Sequence, residues 1–325
     1  MIILNSIIIL FIVLFSISSI ILNLFSKRMN NMIWLIGCKG MLGTEIARQL
    51  SENKMDFVGT DIDVDITNPQ TLAEFVKGRD ISYIINCSAY TAVDKAESDA
   101  DFAKKLNEDG PRNIANLANQ IHAKMIHIST DYVFDGTGTE PYTEDMPVAP
   151  IGVYGRTKAG GEAAVRQNLK EYYIIRTAWL YGWAGKNFVY TMIKAMNTHN
   201  SVKVVNDQRG SPTFAGDLAS VIIKIINKND VPYGTYHCTD LGEITWWDFT
   251  NEIKKQGVEL ELITNKDCTV NPCSTNEYPT PAKRPAYSVL CKDKIQKNLG
   301  ITLPPWQDSL KVFLKSSLFD KNRII

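Results

Sequence analysis

Tyr154 and Lys158 stand four residues apart in the stretch Tyr154-Gly155-Arg156-Thr157-Lys158. A helix through them would set both on one face, one turn apart. An ammonium beside a phenol favours the phenolate, so a group that ordinarily titrates near pH ~10 becomes a proton donor closer to neutrality. Taken alone, the spacing describes a helix with an aromatic and a solvated lysine equally well. Upstream, the apolar run Lys124-Met125-Ile126-His127-Ile128 ends in two hydroxyls, Ser129 and Thr130. The Thr130 hydroxyl could hydrogen-bond a carbonyl oxygen that Tyr154 protonates, or serve only as a strand-end or N-cap residue. A positioned acid, a cation and a hydroxyl suit proton delivery to a carbonyl under reduction.

Other stretches must bring such a carbonyl and a reductant together. Ile33-Trp34-Leu35-Ile36 is a short apolar run closed by Gly37-Cys38-Lys39-Gly40-Met41-Leu42-Gly43. A helical period follows in Leu42, Ile46, Ala47 and Leu50. Strand, glycine turn and helix form the context of a dinucleotide fingerprint, here spaced G-x-x-G-x-x-G. Its first glycine allows the tight turn, its second lets backbone approach a pyrophosphate, and the helix N-terminus supplies N–H groups and a positive dipole end. Gly37, Gly40, Met41, Leu42 and Gly43 are therefore candidate cofactor contacts.

The next strand, 56–60, ends at Asp61, which would accept from a ribose hydroxyl and disfavour a 2′-phosphate. Lys39 would attract that phosphate, so NADPH and NADH both stay open. Asp61 also reads as a solvated turn carboxylate. Asp65 and Ile66 begin a small constellation where an adenine could lie. A third run, 81–86, is closed by Cys87-Ser88-Ala89-Tyr90-Thr91-Ala92-Val93-Asp94. Small residues there let a flat ring pack against backbone, with Asn107 behind them after a helix over 99–106 and before another over 111–120. His127, inside its apolar run, reads as a core residue.

Strands alternating with helices predict an α/β fold with a Rossmann-type, doubly wound parallel sheet. Ligands of such sheets bind beyond the carboxyl ends of the strands, where Gly37, Asp61, Ala89 and Thr130 all fall. A strand over 172–177 continues the pattern, which then breaks down. A strand over 202–205, a helix over 216–227, a returning strand over 234–239 and a helix over 246–255 follow. Residues 271–285 read as a long loop.

Composition narrows the function. The 325 residues carry 35 basic and 35 acidic side chains, so zero formal charge gives no footing for nucleic acid. Six scattered cysteines and four isolated histidines form neither a disulfide framework nor a metal set, and no metal is expected. Residues 1–25 have only Asn5, Ser6, Ser16, Ser18, Ser19 and Asn23 as polar members, long enough to cross a bilayer. Lys27 and Arg28 follow, which would leave the rest of the chain cytoplasmic. A start codon set too early, with translation from Met29 or Met32, accounts for the same stretch. Membrane attachment is expected only if it is a genuine anchor.

With these residues in hand the chain resembles the extended short-chain dehydrogenase/reductase superfamily, and within it the dTDP-4-dehydrorhamnose reductases. The resemblance runs from about Met32 to the C-terminus. It rests on YTAVDKAE from Tyr90, STDYVFDG from Ser129, YGRTKAGGE from Tyr154, RTAWLYG from Arg176, DQRGSPTFAGDLA from Asp207 and PTPAKRPAYS from Pro279. It implies hydride transfer from NADPH or NADH to the C4 ketone of a dTDP-6-deoxyhexulose, giving dTDP-L-rhamnose. Tyr154 would be the general acid, Lys158 would lower its pKa and hold the nicotinamide ribose, and Thr130 would position the ketone. Ser88, Ala89, Tyr90 and Asn107 join the cofactor site. Thr91, Val93, Tyr132 and Trp179 would line the sugar site, and Arg209, with its 207–213 loop, and Arg284 the diphosphate.

The resemblance divides the chain into a hydrophobic segment 1–28, an NAD(P)-binding domain 32–182 to which 214–240 returns, and a smaller C-terminal α/β substrate-binding domain of 183–213 and 241–325. Relatives usually carry Asn or Thr where Cys38 and Lys39 stand. Some bind Mg²⁺ at a dimer interface through a position that Glu45 matches, and a homodimer stays open. Two other readings compete: a non-catalytic regulatory subunit of methionine adenosyltransferase, and a reductase of another nucleotide sugar.

Overall fold

The apolar runs assemble into one six-stranded, all-parallel sheet. Its strands are β1 (Met32–Ile36), β2 (Phe57–Thr60), β3 (Ile81–Asn86), β4 (Lys124–Thr130), β5 (Tyr172–Thr177) and β6 (Gly234–His237). The order across it is β6-β5-β4-β3-β1-β2. This computed structural model describes residues 32–228 and 230–324. The hydrophobic stretch 1–28 and the anchor read from it lie outside the described residues. Among those described, no helix is long and apolar enough to cross a membrane.

The period of two along β1 decides the layers. Ile33 and Leu35 point into one core, with Leu42, Ile46 and Leu50 of α1 (Met41–Glu52) and Leu218 and Ile222 of a later helix, 215–227. Trp34 and Ile36 point into the other, against Leu72 of α2 (Pro69–Val76), Ile114 of α3 (Gly110–Gln120) and Val165 of α4 (Val153–Asn168). Strands buried on both faces need apolar side chains throughout, which is why these runs are continuous rather than alternating. The helix 215–227, which we label α5, crosses back to deliver β6 to the edge beside β5.

A separate aromatic core gathers Tyr181, Phe249, Trp306 and Phe313 between the helices Phe188–Thr198, Trp246–Glu259 and Trp306–Lys315. Two expectations need correction. Residues 271–285 are not loop throughout, because Thr269–Cys273 is a strand paired in parallel with Ser201–Val205. Asn271 and Pro272 hide it in the sequence, and the pairing that makes it a strand spans some 70 residues. The helices expected over 99–106 and 111–120 are joined without a loop, by a π-helical turn at Lys105–Asp109. Such single π turns often accompany functional sites. Here the turn presents Asn107.

Candidate active site

The carboxyl ends of β3, β4 and β5 and the glycine turn after β1 wall a cleft of about 510 Å³. Tyr154 enters it from the first turn of α4. That helix starts at Gly152, which has no capping side chain of its own. Glu97, from the helical turn Val93–Ala96, accepts the Val153 N–H at 2.8 Å instead. Lys158 lies one turn further on, 2% exposed, and its Nζ donates to the Ile128 carbonyl at 2.6 Å. Burial lowers its pKa to about 8, and Glu162, one more turn along the same face, draws it back up.

Glu162 is itself fully buried. It accepts from Ser129 Oγ at 2.6 Å and from Arg176 Nε and Nη2 at 2.8 and 2.7 Å. Burial would raise this carboxyl, yet the Arg176 hydrogen bonds and charge hold it below the ordinary value.

The expected effect of Lys158 on Tyr154 is not what sets this phenol. Burial raises the Tyr154 phenol above its ordinary value, and the group drawing it down is the Thr130 hydroxyl, not the Lys158 ammonium. The physical reason is the hydrogen bond to Ile128, which turns Nζ toward the strand. Thr130 is also engaged: its hydroxyl donates to Asp131 Oδ1 at 2.8 Å and accepts the Tyr132 N–H at 3.2 Å. Asp131 is 2% exposed, its Oδ2 has no partner among the described residues, and burial pushes its pKa up to about 6.

A second cleft, about 660 Å³, continues from the glycine turn along the ends of β1 and β2. Gly37 has φ +78°, and a Cβ on Gly43 would lie 2.0 Å from the Gly37 carbonyl oxygen, so no other residue fits there. Gly40, the N-cap of α1, offers no capping side chain, and the first helical N–H groups are left for a ligand. Asp61 Oδ2 accepts the Lys39 N–H at 3.1 Å and Oδ1 the Ile62 N–H at 3.0 Å. Asp65, Ile66, Ser88 and Ala89 line the same space, with half-exposed Phe102 and the 93%-exposed Ile62.

On the other side Thr91, Val93, Tyr132 and Trp179 share the first cleft with Tyr154. The Tyr132 ring meets the Tyr154 ring edge-on at 5.5 Å, and Trp179 stacks on Trp246 at 3.6 Å. A third cleft of about 520 Å³ lies beyond Trp246, lined by Asp94, Lys203, Gln208 and Arg284. Arg284 Nη2 donates to Asp94 Oδ2 at 2.7 Å, while its buried Nη1 has no partner among the described residues.

Residues 30–319 match the family of the RmlD substrate binding domain. The chain belongs to that family. It is 40% identical to the dTDP-4-dehydrorhamnose reductase of Escherichia coli K12 over 87% of its own length and 96% of that protein. It is also 40% identical to a probable dTDP-4,6-dihydroxy-2-methyloxan-3-one 4-ketoreductase of Streptomyces antibioticus, over 86% and 94% of the two chains. The crystal structure of dTDP-4-dehydrorhamnose reductase from Bacillus anthracis in complex with NADP superposes with a TM-score of 0.82 at 37% identity, covering 88% of this chain and 99% of that one.

In this RmlD-family chain three of the residues singled out from sequence line none of the three clefts described above. Asn107 is fully buried: its Oδ1 accepts the Tyr90 N–H at 2.8 Å, and its Nδ2 donates to the Tyr90 carbonyl and Thr157 Oγ1, each at 3.1 Å. Tyr90 is buried with it, its hydroxyl on Asp99. Both shape the wall behind Ser88 and Ala89. Arg209 is half-exposed and paired with Glu243 at 2.7 Å. Lining residues not singled out from sequence include Cys87, Ile128, Asp131 and Lys186. Asp131 could have been found as the neighbour of Thr130, but Lys186 has no motif around it.

Proposed function

We propose that this chain is an NADPH- or NADH-dependent reductase that converts dTDP-4-dehydrorhamnose to dTDP-L-rhamnose, with Tyr154 as proton donor. The observation that carries it is the sharing of one cleft by the glycine turn, Tyr154, Lys158, Thr130 and the sugar-side residues Tyr132 and Trp179. The residues fit the cofactor. Gly43 leaves a cradle that a Cβ would fill, and the uncapped N-terminus of α1 faces the cleft.

When bound, the reduced nicotinamide supplies the hydride. Tyr154 gives its phenolic proton to the C4 oxygen, and Thr130, released from Asp131, donates to the same oxygen and fixes the ketone. Lys158 turns from the Ile128 carbonyl to the nicotinamide ribose and compensates the phenolate left behind. The unpartnered Arg284 Nη1 and Lys203 form the cationic wall of the third cleft and suit a nucleoside diphosphate. In this reading 32–182 with 214–240 hold the cofactor, and 183–213 with 241–325 hold the sugar nucleotide.

The test is consumption of NADPH or NADH by the full chain with dTDP-4-dehydrorhamnose, followed by nicotinamide absorbance. Tyr154→Phe should lose about a hundred- to ten-thousandfold in rate while still binding cofactor. Cofactor binding without turnover in the unaltered chain would sink the reductase reading. It would turn attention to a regulatory subunit or to another nucleotide sugar.

A further inference from the structure

The loop between β5 and the helix Phe188–Thr198 crosses in front of the glycine turn, and its geometry is held from several sides. A Cβ on Gly182 would meet the Met41 Cγ at 3.1 Å, and one on Gly185 would sit 3.6 Å from Met41 Cβ and 4.0 Å from Met41 N. The loop therefore passes directly against the first helical residue of α1. Asn187 Nδ2 donates to the Gly182 carbonyl at 2.7 Å while its Oδ1 caps the following helix at Tyr190 N. Arg323, near the C-terminus, donates through Nη1 to the Trp183 carbonyl at 2.6 Å and through Nη2 to the Gly185 carbonyl. The Arg48 guanidinium of α1 lies over the Trp183 ring, 5.6 Å from its centroid.

Lys186 is carried by this loop. It lines the same cleft as Gly40, Met41, Leu42 and Gly43. It is exposed, and no hydrogen bond or ion pair engages its ammonium among the described residues. The other lysine of the cleft, Lys158, is committed to the Ile128 carbonyl. The first turn of α1 has no acidic side chain to answer its own dipole. An anion there meets about half a positive charge from the helix, too little to balance the two charges of a pyrophosphate.

We propose that Lys186 is a cofactor-binding residue whose ammonium closes over the pyrophosphate held at the α1 N-terminus. The inference rests on the dinucleotide reading of this cleft. The cofactor would then be held between two pieces of the chain, the glycine turn and a loop fixed by the C-terminus. Because the loop backbone is already fastened, only the lysine side chain is ordered on binding.

The experiment is a fluorescence titration of the full chain with NADH, NADPH, ADP-ribose and dTDP, comparing Lys186→Ala and Lys186→Arg with the unaltered protein. Lys186→Ala should weaken NADH, NADPH and ADP-ribose alike, by about five- to twentyfold, as expected for one partly exposed charge-assisted contact. The difference should shrink as salt is raised, Lys186→Arg should keep most of the affinity, and dTDP should be unaffected. NADH affinity within twofold of the unaltered protein would overturn the assignment. So would weakening of dTDP in place of the dinucleotides, which would move the lysine to the substrate diphosphate. If the unaltered chain binds neither dinucleotide, the cofactor reading itself falls, a result distinguishable from failure of Lys186 alone.

Discussion

Lys158→Met should make the ligand-free protein more stable at neutral pH while removing its activity. The lysine is 2% exposed, and burial drops its pKa from 10.5 to about 8. That drop corresponds to about 3 kcal/mol by which the fold disfavours the charged ammonium. Methionine fills similar space without the charge, but forfeits the hydrogen bond to the Ile128 carbonyl, worth about 1 kcal/mol. Glu162 keeps Arg176 and Arg166 as partners, so no carboxylate is stranded. The net gain at pH 7 is about 2 kcal/mol, a few degrees in Tm.

The pH dependence fixes the cause. Below pH 8 the lysine is charged in both folded and unfolded chains and the penalty is fully present. As pH rises from about 8 toward 10.5 the folded chain has already released its proton, so the wild type gains stability and the methionine advantage fades. Urea unfolding followed by circular dichroism at pH 7 and pH 10 measures both. A variant less stable than wild type at pH 7, or an advantage that grows with pH, would refute the reasoning.

Two further outcomes follow from buried polar groups. Asn107→Ala strands the Tyr90 backbone N–H and carbonyl and should cost about 2–3 kcal/mol in urea unfolding, with weaker NADH binding as the Ser88–Ala89 wall loosens. A loss under 0.5 kcal/mol would mean that water replaces the amide. Asp131 has its pKa raised to about 6, so the carboxyl favours folding below its unfolded value near ~3.9 and loses that contribution as pH rises through about 6. Asp131→Asn should therefore gain on the wild type between pH 4 and pH 8, by about 2 kcal/mol. A difference independent of pH would place the titration elsewhere.

Much of this protein follows from local pattern. Continuous apolar runs bounded by turns can be buried on both faces, and that alone dictates a parallel sheet with helices above and below. The glycine turn announces itself because Gly37 and Gly43 occupy backbone positions where a side chain clashes. The helical spacing of Tyr154 and Lys158 sets both on one face of α4, and Thr130 falls at the carboxyl end of β4 as the sheet requires.

Tertiary structure decided what the groups do to one another. Whether Lys158 acts on Tyr154 depends on a carbonyl 30 residues away that takes its hydrogen bond. Arg209 and Arg284 look equivalent in sequence. Packing ties the first to Glu243 at the surface and leaves the second with a buried nitrogen that has no partner among the described residues. The strand Thr269–Cys273 exists only through its pairing with Ser201–Val205. Lys186 shares a cleft with Gly40 and Gly43, on a loop whose Trp183 carbonyl takes a hydrogen bond from Arg323, 140 residues further along the chain. Side-chain periodicity is a local property and is written in the sequence. Electrostatic partnership depends on distance in space, and only the folded chain sets it.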